Sequence, residues 1–148
     1  IRYFSTKQQL VDAVSTVLDD NPRTDIIISG VWARSLHESI IEMIIGKESS
    51  SSCKIIIPKL LFKGDISLNL LRNICKTGGQ VRVNNTTTNN LMILGRYAII
   101  LSFSSRLNSL GVLSTSFECA VMTDDAEIVG SLRTQFEEVF ENSVLFRM

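Results

Sequence analysis

Continuous apolar runs alternate with one-sided apolar stripes along the first half of this chain, and the two patterns predict two kinds of element. Between residues 5 and 22, Leu10, Val14, Val17 and Leu18 recur at helical spacing. Ser5 is placed to cap that helix, Gln8 takes the capping-box position, and Asn21 and Pro22 end it. "TDIIISG" is short, β-branched and closed by Gly30, the signature of a strand buried on both faces. A second helix follows, its stripe formed by Leu36, Ile40, Ile41, Ile44 and Ile45 and its end marked by Gly46. "CKIIIPK" repeats the buried-strand pattern, and "SLNLLRNICKTGG" is a short helix closed by Gly78 and Gly79.

The second half changes character. "QVRVN", "LMIL", "YAIILSFS" and "FECAVMT" read as further strands, with Gly95 and Arg96 as the tight turn between the middle two. The last helix starts at a D-x-x-E capping box, Asp124 and Glu127, and carries Ile128, Leu132, Phe136, Val139 and Phe140 on one face. Alternating strands and helices followed by a run of strands predict an α/β fold, a single mixed sheet sandwiched by helices, in one domain over residues 1–148. Ligands in such sheets gather where strand ends meet helix starts. The first such junction is "SGVWARS", with Ser29, Gly30, Trp32 and Arg34.

Composition narrows the function classes. Of 148 residues, 45% are hydrophobic and 20% charged, enough apolar material for one sizeable core. Fifteen Lys and Arg balance fifteen Asp and Glu, so no global field recruits nucleic acid or an anionic membrane. Lys54, Lys59, Lys63, Arg72, Lys76 and Arg82 are scattered among apolar residues without aromatic interleaving and read as solvated faces. Cys53, Cys75 and Cys119 lie far apart, unlike zinc or redox pairs, and are expected to be reduced core thiols of a cytoplasmic protein. No apolar run reaches the ~18 residues of a membrane span and no signal-peptide pattern opens the chain, so no membrane association is expected. Because residue 1 is Ile rather than Met, the chain is expected to be part of a longer protein with an N-terminal domain. His37, the single histidine, lies within the second helix and is expected on its surface; no metal site and no cofactor are expected.

The polar run "NNTTTNN" before "LMILGRYAIIL" carries the candidate chemistry. It reads either as a solvated loop or as a floor of hydroxyls and amides. Thr87 and Asn89 share one face by alternation, as do Ser102 and Ser104. Neutral groups that both donate and accept suit a small polar ligand such as a sugar better than a phosphate. Trp32 is the candidate aromatic plate for a sugar face, or else a core residue. Arg34 and Glu118 are the candidates for orienting the ligand.

The second half resembles phospholipase D superfamily domains. Their H-x-K-x4-D positions fall on Thr87, Asn89 and Leu94, and their G-S-x-N element on Leu101, Ser102 and Ser104. Glu118 in "SFECAVMTDD" matches the glutamate of the following strand, and Phe140 stands in "FEEVFENS" where the family pattern has tryptophan. The family reaction uses one histidine to attack phosphorus, a second to protonate the leaving oxygen, and lysines to hold the phosphate; Thr87 and Asn89 replace them poorly. The chain is more particularly similar to the C-terminal effector regions of TrmB-type transcriptional regulators. That resemblance implies no catalytic residues and no enzymatic activity, an effector-sensing or dimerisation role, a homodimer, and contact with DNA only through another domain. The rivals are a phosphodiesterase or nuclease of the superfamily and a purely structural interaction domain.

Overall fold

The computed structural model describes residues 1–46, 52–58, 68–84, 89–107, 109–111 and 113–146. Along them run β1 (Arg2–Phe4), α1 (Lys7–Asp20), β2 (Ile26–Ser29), α2 (Arg34–Ile45), β3 (Cys53–Ile57), α3 (Leu68–Lys76), β4 (Gln80–Val83), β5 (Leu91–Leu94), β6 (Tyr97–Leu107), β7 (Leu113–Thr123), α4 (Ala126–Glu141) and β8 (Val144–Leu145). All the strands join one mixed sheet in the order β1-β7-β6-β5-β2-β3-β4-β8. β2, β3 and β4 are parallel, and the remaining pairings are antiparallel.

Alternation of side chains divides this sheet into two unequal faces. Ile26, Ile28, Ile55, Ile57, Met92, Leu94, Ile99 and Leu101 point to one face and pack against Leu10, Val14 and Leu18 of α1, Leu36, Ile40, Ile41 and Ile44 of α2, and Leu71 and Ile74 of α3. On the opposite face Ile27, Ile56, Leu91, Ile93 and Ala98 pack against Val129, Phe136 and Phe140 of α4. Because β2 is buried on both faces, its run of three isoleucines is what two-sided burial requires.

Local chemistry sets the helix ends one residue from the positions the sequence pattern gives. Thr6, not Ser5, caps α1, and its partner in the capping box is Gln9 rather than Gln8. Asp125, not Asp124, caps α4 by accepting from the amides of Glu127 and Ile128. At the first turn of α4 Val129 rather than Ile128 faces inward, and Ile128 is 45% exposed. Three cationic contacts fasten α4. Arg133 donates to Asp25 at 2.6 Å and to the Gly95 carbonyl at 2.7 Å. The Arg82 guanidinium lies 4.3 Å from the Phe140 ring centroid and donates to the Phe140 carbonyl. Lys54 bridges both Glu137 oxygens at 3.2 Å. Lys54 and Arg82 are therefore half-buried struts rather than solvated faces, whereas Lys59 and Lys63 lie outside the described residues.

His37 also departs from expectation. It is only 3% exposed, with its ring edge-on to Trp32 at 5.7 Å. Burial drives its pKa down to about 4, with Glu38 opposing weakly. The stripe of α2 is wide enough to take in position 37, which a narrower reading leaves on the surface. The cysteines divide similarly. Cys53 is buried, and desolvation with the neighbouring Cys75 pushes its thiol up to about 12. Cys119 is a half-buried residue of the open face near Tyr3, not a core thiol, and its side chain raises the Tyr3 pKa through a hydrogen bond.

Candidate functional site

The chemistry gathers where β2 ends. Gly30 holds a φ of +103°, and a Cβ there would stand 2.7 Å from the Asn90 Cα, so the β2–α2 junction lies directly against the chain entering β5. The Asn90 side chain accepts from the Val31 amide at 2.7 Å. Ser29, 3% exposed, donates its hydroxyl to the Asn89 carbonyl at 3.0 Å. These bonds fix the backbone of residues 89 and 90, the described end of the polar run.

The ladder carries that position across the sheet. Leu91 pairs with Ile100, and the Leu101 amide donates to the Asn90 carbonyl at 3.0 Å, which sets Asn89 level with Ser102. Ile99 and Leu101 face the three-helix side, so Ser102 and Ser104 face the α4 side. Ser102 pairs with Cys119, and the register slips beside it: Phe103 opposes Phe117, leaving Glu118 as an extra residue of β7. This bulge turns the carboxylate toward Ser102, whose hydroxyl lies 3.4 Å from Oε1. Asn89, Ser102 and Glu118 thus form one row across three neighbouring segments beyond the end of β2, with Ser29 one step back, level with Leu91 and Ile100, and Ser104 one step further along β6.

Two of the sequence candidates do not join this row. Trp32 is 1% exposed, packs in the three-helix core, and donates its indole N–H to the Ser29 carbonyl at 2.9 Å. It serves as a core residue rather than a plate for a ligand, because it fills the space beneath the junction on the far face of the sheet. Arg34 is exposed at the start of α2 and pairs with Glu38 at 2.8 Å. Thr87 lies outside the described residues.

A cavity of about 150 Å³ opens beside the row, between α4 and the sheet. Ser29, Asn89 and Gln135 supply its polar groups, and Leu91, Leu132, Phe136 and Val139 its apolar wall. Gln135 escapes a sequence reading because it sits on the exposed side of α4 next to Phe136 and resembles any solvated helix position. The available signal was helical spacing: Gln135 lies three residues after Leu132 and four before Val139, both on the inward stripe, so it borders the same groove.

Beyond α4 nothing among the described residues covers the sheet face. Tyr3, Ile100 and Val121 are 65%, 44% and 37% exposed, beside Ser102, Glu118 and Cys119. Among the described residues no group of three His, Cys, Asp or Glu side chains converges as a metal site would require, and no helix is long and apolar enough to cross a membrane.

No known protein-family profile matches the chain, and no curated protein sequence does. Solved structures do match it. The chain superposes on TrmBL2, an archaeal chromatin protein, with a TM-score of 0.64 and 13% identity over 98% of its own length and 53% of TrmBL2, so it spans about half of that protein. It matches Nuc of Salmonella typhimurium, a phospholipase D family member, with a TM-score of 0.69 and 15% identity over 99% of this chain and 97% of Nuc. NucT of Helicobacter pylori gives 0.62 and 13% identity over 98% of each chain. These matches correct one expectation. The structures that the chain covers from end to end include a named member of an enzyme family, so the assignment of this chain as a non-enzyme does not stand. At these identities the likeness is one of architecture, and the α/β fold is phospholipase D-like, shared with TrmBL2.

Proposed function

We propose that this domain is the effector-sensing and dimerising part of a transcriptional regulator, and that its ligand is a small polar molecule such as a sugar. The observation that carries the reading is the row itself: Asn89 and Ser102 level with one another, and Glu118 turned by a bulge to reach the Ser102 hydroxyl. Hydroxyls and amides that both donate and accept, beside one carboxylate acceptor, match the alternating donors and acceptors of a polyol. Ser104 extends the same surface. The likeness to half of TrmBL2 supports a role as one part of a larger protein, with DNA contacted by another part. A homodimer is supported by the half-sheet that carries Tyr3, Ile100 and Val121 to solvent.

The test is calorimetry against a panel of sugars, with light scattering on the same samples. Binding that weakens in Ser102→Ala and in Glu118→Gln supports the reading. A ligand whose affinity ignores Asn89, Ser102 and Glu118 alike contradicts it, as does a strict monomer at high micromolar concentration for the dimer.

The end-to-end match to Nuc and NucT favours a second reading, a phosphodiesterase acting on the same row. His37 is buried on the far face of the sheet and cannot reach a substrate there, so any turnover of bis-p-nitrophenyl phosphate should survive His37→Phe. Turnover lost in a correctly folded His37→Phe protein would contradict that geometry.

A further inference from the structure

The cavity beneath α4 differs from the row in what it offers. Its wall is apolar on the helix side, through Leu132, Phe136 and Val139, and on the sheet side, through Leu91. Two carboxamide residues, Asn89 and Gln135, line it together with Ser29, whose hydroxyl is taken by the Asn89 carbonyl. Among the described residues neither carboxamide side chain has a hydrogen-bond partner, and the Asn89 backbone is already fixed by Ser29. No charged residue among the described residues lines the space. A carboxamide presents a donor and an acceptor side by side in one plane, and its natural complement is a planar group that presents an acceptor and a donor in the same spacing. A cavity of about 150 Å³ is below the ~300–1,000 Å³ of drug-sized sites, which limits the guest to a single ring.

We propose that this cavity binds a neutral, planar six-membered nitrogen heterocycle with a lactam-type edge, the chemistry of a pyrimidine base, read by Asn89 and Gln135 and sandwiched by Leu91, Leu132 and Phe136. The proposal deepens the effector-binding reading and rests on it, because Asn89 belongs to both the row and the cavity. A ring seated here places any sugar attached to it beside Ser102 and Glu118. The effector class is then a pyrimidine nucleoside rather than a free sugar, and Gln135 is its specificity-determining residue.

The same lactam ring is presented by a free base, a nucleoside and a base within a single-stranded oligonucleotide, and one titration series separates them. Uracil, uridine, glucose and a short oligo-uridylate are titrated into the intact chain while the side-chain amide resonances of Asn89 and Gln135 are followed by NMR. Both resonances should shift with uracil and uridine, and uridine should bind more tightly. Gln135→Leu, which keeps the shape, should weaken uracil roughly tenfold, the effect of one lost hydrogen bond with its partner stranded. Ser102→Ala should leave uracil unchanged and weaken uridine. Leu132→Trp, on the cavity wall, should abolish uracil binding while circular dichroism stays native. Tighter binding of the oligomer than of uridine identifies nucleic acid as the source of the ring. Uracil binding that ignores both Gln135→Leu and Leu132→Trp overturns the proposal. Glucose bound through Ser102 and Glu118 with no response to uracil overturns it too, yet leaves the effector reading intact. No response to any of the four overturns both.

Discussion

Two halves of the same sheet face behave differently. Over β2, β3 and β5 the face is apolar, and α4 covers it with Val129, Phe136 and Phe140. Over β6, β7 and β1 it keeps apolar residues, Ile100, Val121 and Tyr3, but nothing among the described residues covers them, and polar groups sit among them. One face thus has a part that holds the fold together and a part left open to a partner or ligand. The candidate row and the cavity lie on the border between them, where Asn89 and Leu91 of the covered half meet Ser102 and Ile100 of the bare half. A border position combines a rigid wall with accessible polar groups, which a binding site needs and neither half alone provides.

The two halves should carry unequal energetic weight. Phe136 is 4% exposed and stacks on Phe140 at a centroid distance of 5.4 Å. Phe136→Ala should cost about 3–5 kcal/mol in urea unfolding, the usual result of emptying a packed aromatic site. A loss below about 1 kcal/mol would mean that α4 is not the cover it is taken for.

The three-helix face supplies the next largest effect. His37 has a folded pKa of about 4 against an ordinary value of 6.5, because burial penalises its cation. The unfolded chain therefore takes up a proton first as the pH falls. Stability is full above about pH 6.5 and is lost toward pH 4, by about 3 kcal/mol over the window. His37→Phe should flatten that slope in urea titrations at a series of pH values. An unchanged slope would place the acid sensitivity elsewhere.

At the border the expected effects are smaller. Asn89→Leu should weaken a bound effector by about 1–3 kcal/mol, since a ligand polar group is left unpaired, and should barely change the melting temperature. On the bare half, Ile100→Ala should change the stability of the monomer by less than about 1 kcal/mol, the range for a partly exposed site. A much larger loss for Ile100→Ala at high protein concentration than at low would show that a second copy covers this half in solution.

How much of this was legible in the sequence follows from how much each residue is constrained. The strands β2, β3 and β5 were plain because two-sided burial leaves an unbroken apolar run, as in Ile26–Ser29 and Leu91–Leu94. β1 and β8, of three and two residues, were not, since edge strands this short show no alternation and are defined only by the neighbours they pair with. Helix stripes were legible to within one position. On α4 the cap moves to Asp125 and Val129 takes the core place expected of Ile128, while Leu132, Phe136, Val139 and Phe140 keep theirs. Asn89, Ser102, Ser104 and Glu118 could be named from strand alternation and the phospholipase D resemblance. Their common level depends on the pairing of β5 with β6 and on the bulge at Glu118, both set by tertiary contacts. His37 was misplaced and Trp32 was left between two readings for a shared reason. Each is amphipathic, and only the packing of α2 on the sheet decides which of its characters is used.

The most direct test of the border as the binding site is backbone amide shift mapping of the intact chain with the effector found by calorimetry. Shifts should concentrate at Ser29, Asn89, Asn90, Ser102, Ser104 and Glu118, spread to Gln135 on α4 and fade along the three-helix face. Shifts centred on α1 and α2, with residues 89 to 104 silent, would contradict it.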